Sequence, residues 1–436
     1  MSGQPASSVR RDLAASLDWY RHPRPVFSGG NEVVLLRGGD ALFPEMVQAI
    51  GRALREVWLA TYIFELDAAG QAVMGALRAA AARGVRVRVV VDGFGSQATV
   101  AALQEAMTPQ GVAFAVFRPV SSWWSWLQPG QLRRLHQKLC VVDGDVAFVG
   151  GINVIDDRHD LHHGWSDAPR LDYAVRLRGP AVAPVEHTVR AMWTRSWFGH
   201  DWRDEVRDIV RHQRPITRMR RLLRRVRLAP PRALVDTGLP MAVLIPVRAA
   251  FVVRDNVRQR RTIERAYIDA LQSAREEIDI VCPYFYPGRA FRRALRNAAQ
   301  RGVRVRLLLQ GRVDYRFAAL AASVLYDELL ARGVRIFEYQ AAFLHAKVAR
   351  VDRDWATIGS SNIDPLSLLV NLEANVVVRD RGFVATLARE LERDFEGAQE
   401  VLAPRPLAGW RKWLRRGFVA WVASVYLRVA GAAVRY

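Results

Sequence analysis

Cysteine is almost missing from this chain of 436 residues. Cys140 and Cys282 both stand in apolar, strand-like runs, where a free thiol behaves as a small core residue. No disulfide framework is expected, and a reducing cytoplasm fits. A long apolar run is missing too. The opening thirty residues, MSGQPASSVRRDLAASLDWYRHPRPVFSGG, hold nothing that could serve as a signal peptide or anchor helix, so residues 1–30 are read as a flexible lead-in. Near the other end, the uncharged run at 417–427 is stopped by Arg428. It falls well short of the roughly 20 apolar residues that cross a bilayer. Acidic residues are the third shortage: 43 Asp and Glu face 64 Lys and Arg, a net charge of +21. That field favours phosphate-rich partners, either nucleic acid or an anionic membrane face. Half of the residues are hydrophobic, which supports a sizeable core in two or three domains and excludes a disordered chain.

Regular patterning begins near Asn31. A strand is predicted over 32–37 and an amphipathic helix over 43–55, with Met46, Val47, Ile50 and Leu54 on one face. A strand over 57–64, a helix over 72–82 ending at Gly84, and a strand over 85–91 follow. The alternation is βαβ and predicts a mostly parallel sheet with helices on its faces. The stretch RGVRVRVVVDG from Arg83 returns as RGVRVRLLLQG from Arg301. Such a long-period repeat describes an internally duplicated chain rather than a solenoid. The fold class is therefore α/β, with two similar βα sandwich-like halves about a pseudo-two-fold axis, at 31–210 and 241–403.

Each half carries one copy of a second repeat. LHQKLCVVDGDVAFVGGIN occupies 135–153, and LHAKVARVDRDWATIGSSN occupies 344–362. Both keep His-x-Lys, four residues, Asp, six residues, Gly, and an Asn three positions further on. Residues i and i+2 of a strand share a face, so His136 with Lys138, and His345 with Lys347, point to one side. Two imidazoles, two ammonium groups and the amides of Asn153 and Asn362 suit a phosphate ester. One histidine attacks phosphorus, and the other protonates the leaving alcohol and later deprotonates the incoming one. The lysines supply the neutralisation that a metal ion would otherwise give, so no cofactor is expected.

These paired motifs resemble the HKD motifs of the phospholipase D superfamily. Stretches such as RDNVRQRRTIERAYIDALQSAREEIDIVCPYFYPG and WATIGSSNIDPLSLLVNLEANVVVRD are similar to bacterial cardiolipin synthases of the B type, from about residue 31 to about 395. The resemblance implies an active site between the halves and a metal-independent, two-step phosphatidyl transfer through a histidine intermediate. The reaction it implies converts two phosphatidylglycerols into cardiolipin and glycerol. The same centre would serve hydrolysis, transfer between other phospholipids, or, with the positive charge, a nuclease.

Carried onto this chain, the resemblance makes His136 and His345 the nucleophile and acid/base pair, with His136 taken as nucleophile by analogy. Lys138, Lys347, Asn153 and Asn362 hold the phosphate, and Asp172 and Glu373 each orient an imidazole. Asp143 and Asp352 belong to the catalytic motif by name. Four residues separate each from its lysine, so they are expected to fix the turn rather than touch substrate. Ser360, where the first half has Gly151, is either a phosphate donor or a turn-stabilising residue.

Three outlying segments are candidate contacts with a membrane surface, the alternatives being a solvated basic linker, tryptophans packed in the core and a tail helix packed on the second half. Residues 211–240 form a basic linker, nine of whose arginines fall within 211–232; SSWWSWL occupies 121–127; and the basic aromatic tail at 404–436 holds Trp410, Trp413, Trp421 and Tyr426. Docking on anionic lipid, with phosphatidylglycerol as partner and no nucleic acid, is the expectation. The resemblance places the chain peripherally on the cytoplasmic face of a bacterial inner membrane. The His-x-x-His of His159 and His162, followed by His163, is a weak metal signal with no cysteine beside it, and the three are read as a polar loop at the pocket mouth.

Overall fold

A computed structural model describes residues 18–119, 133–161, 163–211, 247–255, 258–311, 326–364, 367 and 371–402. The tryptophan stretch at 121–127, the basic residues beyond Arg211, the tail from 404 and His162 lie outside the described residues.

The strands of the first half are β1 (Ser28–Arg37), β2 (Glu56–Thr61), β3 (Arg86–Asp92), β4 (Ala113–Phe117), β5 (Lys138–Val142), β6 (Val146–Gly150), a small hairpin β7 (His159–Asp160) and β8 (Gly164–Trp165), and β9 (Tyr173–Arg178). The second half has β10 (Val247–Arg254), β11 (Glu277–Val281), β12 (Arg304–Gln310), β13 (Arg335–Tyr339), β14 (Val348–Val351), β15 (Trp355–Gly359), β16 (Glu373–Arg379) and β17 (Ala398–Glu400). Fifteen of them make one sheet in the order β17-β13-β12-β11-β14-β15-β16-β10-β1-β9-β6-β5-β2-β3-β4. Read outward from the central β1–β10 contact, the two halves repeat the same strand order. The expected duplication is thus visible as topology.

The sheet is mixed, which corrects the expectation of a mostly parallel one. Only β2–β3–β4 and their counterparts β11–β12–β13 are parallel; the remaining neighbours run antiparallel. Crossover helices connect the parallel strands, whereas β5–β6 and β14–β15 are joined by tight turns, which force antiparallel pairing. Both copies of RGVRV turn from helix to strand at a glycine, Gly84 at φ +86° and Gly302 at φ +87°. A side chain is strained in that left-handed region, so both copies retain glycine there.

Helices cover both faces. Gly38–Gly51, Ala68–Ala82 and Val100–Met107 pack on one face of the first half, and Thr262–Ser273 and Arg289–Gln300 on the same face of the second. On the other face a single apolar core runs through both halves, from Val141, Val149 and Val175 to Phe251, Val348 and Val376. It lies under the helices Val182–Arg211 and Arg381–Glu396. Residues from 18 onward are part of this body rather than a flexible lead-in. Trp19 packs edge-on to Tyr20 and against Phe251, and the Tyr20 hydroxyl donates to Asp255. Asp394 of the second half accepts from both Arg37 (2.6 Å) and the Tyr173 hydroxyl (2.6 Å) of the first. These contacts fix the relative position of the halves, on which the site depends.

Candidate active site

Just before β5 and β14, short extended segments carry the two histidines across the boundary between halves. The His136 N–H donates to Leu372 O (3.1 Å), and Leu372 N–H to Arg134 O (2.9 Å). Symmetrically, His345 N–H donates to Leu171 O (2.8 Å), and Leu171 N–H to Phe343 O (2.9 Å). Each histidine is therefore pinned beside the residue that precedes the other half's carboxylate. His136 Nδ1 lies 3.0 Å from Glu373 Oε2, and His345 Nδ1 lies 2.6 Å from Asp172 Oδ2. The orienting carboxylates are crossed, and neither half completes its own histidine.

Lys138 opens β5 and Lys347 immediately precedes β14, and both turn back toward the histidines. Lys138 Nζ donates to His136 O (2.7 Å), and Lys347 Nζ to His345 O. Both are buried. Burial pushes Lys138 down to about 7 and Lys347 to about 8, although Glu373 and Asp172 pull the other way. Asn153 and Asn362 are buried in the turns after β6 and β15. Asn153 Oδ1 accepts from Ile63 N–H (3.2 Å), so its amide hydrogens are available to the centre.

The two histidine–carboxylate pairs differ electrostatically. Burial lowers both imidazoles, His345 well below the usual histidine range with the charge of Lys347 adding to the effect. Burial also raises Asp172 to about 7. The same burial acts on Glu373, but His136, Lys138 and a 2.6 Å hydrogen bond from Ser360 Oγ override it and hold Glu373 below the usual carboxylate range. Ser360 is fully buried, and its hydroxyl has Glu373 Oε2 (2.6 Å) and Ala374 O (3.3 Å) as acceptors within the fold. These contacts favour its reading as a turn-stabilising residue over that as a phosphate donor. At the matching position, a Cβ on Gly151 would sit 2.3 Å from Asp172 Oδ1, so a serine has no room there. The departure from symmetry noted in the sequence, Gly-Gly against Gly-Ser, thus acts on the carboxylates.

Asp143 and Asp352 lie at the far ends of β5 and β14 from the lysines. Asp143 accepts backbone N–H bonds from Leu54, Arg55 and Glu56 at 2.8 Å each, and Asp352 accepts from Arg275, Glu276 and Glu277. Both residues have positive φ, +54° and +48°. They hold the turns and the start of β2 and β11. This geometry supports their reading as residues that fix the turn rather than groups of the catalytic motif that touch substrate. His159 stacks on Trp165 at 5.0 Å with Nδ1 3.3 Å from Asp67, and His163 Nδ1 lies 3.0 Å from Asp160.

One aromatic escaped the sequence reading. Tyr62 meets the His136 ring edge-on at 5.1 Å, and Lys138 Nζ lies 5.4 Å from its centroid. The repeat offers no signal for it, because the matching position is Pro283.

Two α/β halves that share one sheet and meet at crossed His–carboxylate pairs over two lysines define a phospholipase D-type centre for phosphodiester transfer. A family model described as "Cardiolipin synthase, PLD-like domain" matches residues 46–163 and 267–396. Over 392 residues the chain is 36% identical to cardiolipin synthase B of Escherichia coli (strain K12), covering 86% of this chain and 84% of that protein. It is 33% identical over 373 residues to cardiolipin synthase A of Pseudomonas putida (strain KT2440), covering 86% and 70%. Among solved structures, phosphatidylserine synthase of Haemophilus influenzae Rd KW20 superposes with a TM-score of 0.62 at 14% identity, covering 96% of this chain and 99% of that one. The chain belongs to the cardiolipin synthase family of phospholipase D-like proteins.

Proposed function

We propose that this protein is a cardiolipin synthase, moving the phosphatidyl group of one phosphatidylglycerol onto the terminal hydroxyl of another and releasing glycerol. The crossed His–carboxylate pairs over two buried lysines carry the reading. In the first step His136 Nε2 attacks phosphorus, the bond to glycerol breaks, and the glycerol oxygen takes a proton from His345. In the second step the acceptor hydroxyl gives its proton to His345 and its oxygen displaces His136. Lys138, Lys347, Asn153 and Asn362 surround the phosphoryl oxygens. Developing negative charge there would draw the buried lysines to their charged form.

The unlike carboxylates support His136 as the nucleophile and His345 as the acid. Glu373, held ionised, accepts the Nδ1 hydrogen of His136 and leaves Nε2 as a lone pair, the state a nucleophile needs. Burial raises Asp172 to about 7, so its contact with His345 Nδ1 retains a proton that the pair can supply as acid. Above about 7 that proton is lost and Lys138 and then Lys347 discharge, so kcat/KM should fall as pH rises through this range. Below 7 the profile should stay flat until His136 protonates, which its lowered pKa delays. A profile that climbs steadily to pH 9 would remove this assignment of acid and nucleophile.

No described helix is long and apolar enough to cross a membrane. Peripheral attachment to the cytoplasmic face of the membrane, through the arginine-rich linker and the tryptophan-bearing tail, fits the net charge of +21. Radiolabelled phosphatidylglycerol and DNA offered to one pure preparation test the function. Cardiolipin and glycerol are expected; cut DNA without a lipid product would instead make the protein a nuclease.

A further inference from the structure

Beside His136 the centre is flanked by positive charge that the transfer chemistry does not use. Arg134 stands two residues before that histidine, with its guanidinium 5.0 Å over the Phe94 ring and Nη1 3.9 Å from Asp92 Oδ1. Its Nη1 is buried without a hydrogen-bond partner among the described residues, and so is Nη1 of Arg118, which follows β4 at φ +50°. From the other half, buried Arg254 is paired in register with Glu373 and donates to Asn371 O. Arg133, Arg195 and Arg260 complete the group. Burial and the charges of Arg133, Arg195 and Arg134 bring Arg118 down to about 10, and Arg133 lies in turn within the fields of Arg195 and Arg260.

Among the described residues, Asp92 is the carboxylate that faces Arg118 and Arg134. Among the described residues Arg118, Arg133 and Arg195 form no ion pair. Asp92 already accepts from Leu135 N–H (2.7 Å), Phe94 N–H (2.9 Å) and Gly95 N–H (3.1 Å). The His345 side is built otherwise. There Gln310 replaces Asp92 as acceptor for Leu344 N–H (2.8 Å), Phe343 stands where Arg134 does, and Arg170 is spent on the His159 carbonyl. The pseudo-symmetry of the catalytic groups therefore stops at their flanks.

We propose that Arg118, Arg133 and Arg134, backed by Arg195 and Arg254, bind a second phosphate group: the phosphodiester of the lipid whose hydroxyl accepts the phosphatidyl group. This rests on the function proposed above. Its product carries two phosphodiesters joined by a three-carbon glycerol. While one reacts over Lys138 and Lys347, the other needs its own counter-charge a glycerol length away. Guanidinium nitrogens buried without a hydrogen-bond partner among the described residues, as Nη1 of Arg118 and of Arg134 are, cost free energy that a phosphate's oxygens recover by charge-assisted hydrogen bonds. The arrangement also favours a phosphate-bearing acceptor over water, and hence synthesis over hydrolysis.

Two acceptors offered in competition provide the test. Phosphatidylglycerol diluted in neutral phosphatidylcholine vesicles is incubated with ethanol, and cardiolipin and phosphatidylethanol are measured together. Ethanol carries no phosphate, so its product reports donor binding and chemistry alone. Arg118→Gln and Arg133→Gln should each lower the ratio of cardiolipin to phosphatidylethanol about tenfold, the worth of one charge-assisted hydrogen bond, with phosphatidylethanol formation unchanged. An unchanged ratio, or an equal fall in both products, overturns the proposal. If Arg118→Gln does not fold, the less deeply placed Arg133 decides alone. Glycerol 3-phosphate separates the two sources of the group. Inhibition of cardiolipin formation that the variants lose shows a site for any phosphate ester, and absence of inhibition in the wild type confines it to the lipid headgroup. A wild-type enzyme that makes neither lipid would instead sink the underlying function.

Discussion

His136→Ala and His345→Ala, made separately, are each expected to lower cardiolipin formation by about a thousandfold or more, the scale on which a nucleophile or a general acid contributes. The expectation follows from crossing. Each histidine is braced by a carboxylate from the opposite half, at 3.0 Å and 2.6 Å, so one half cannot run the reaction with its own groups. The losses should not add in the double variant, because the two imidazoles serve one reaction path and act as a unit. Labelled phosphatidylglycerol and thin-layer separation of products provide the readout. If either single variant kept turnover within tenfold of the wild type, the division of labour would be wrong. Both rings retain some exposure at the centre, 12% and 23% of the side chain, so replacement by alanine removes chemistry more than packing.

Asp143→Ala should have the second large effect, and on stability instead of chemistry. The carboxylate accepts three backbone N–H groups from residues 54–56, and Asp143 sits at φ +54°, where alanine is disfavoured. The loss should amount to about 2–3 kcal/mol after allowing for water at the exposed end of the turn. A clearly lower thermal midpoint is expected, while turnover per folded molecule stays near the wild-type value. Asp143→Asn, which keeps an acceptor and tolerates the left-handed backbone, should be milder. A catalytic role would show the reverse: an unchanged midpoint and lost turnover. Asp352→Ala repeats the experiment in the second half, where the same three-pronged contact holds residues 275–277.

The duplication was legible because the physical demands on the two copies are the same. Glycine is needed at positions 84 and 302 for the left-handed turn, and His-x-Lys is needed where two side chains must leave one face of a strand. Asp172 and Glu373 were found as candidates by the family resemblance and their similar places, but which histidine each serves was not. That depends on the β1–β10 contact and on the bridges from Leu135 to Leu372 and from Leu171 to Leu344, which are long-range events without local signature. Tyr62 was invisible because its counterpart is a proline, and the βαβ rhythm suggested more parallel pairing than the hairpins allow. Ser360 was singled out, yet the choice between phosphate and turn needed the 2.6 Å contact to Glu373. The arginine flank had no motif at all. Its members come from positions 118, 133, 134, 195, 254 and 260, and only the fold gathers them.

The most direct check of the shared, divided centre is capture of the covalent intermediate. Enzyme turning over short-chain phosphatidylglycerol would be quenched in cold denaturant at neutral pH, digested, and its peptides weighed by mass spectrometry. The phosphatidyl mass is expected on the peptide that contains His136, and it should disappear in His136→Ala. The same mass on the peptide containing His345 would contradict the account.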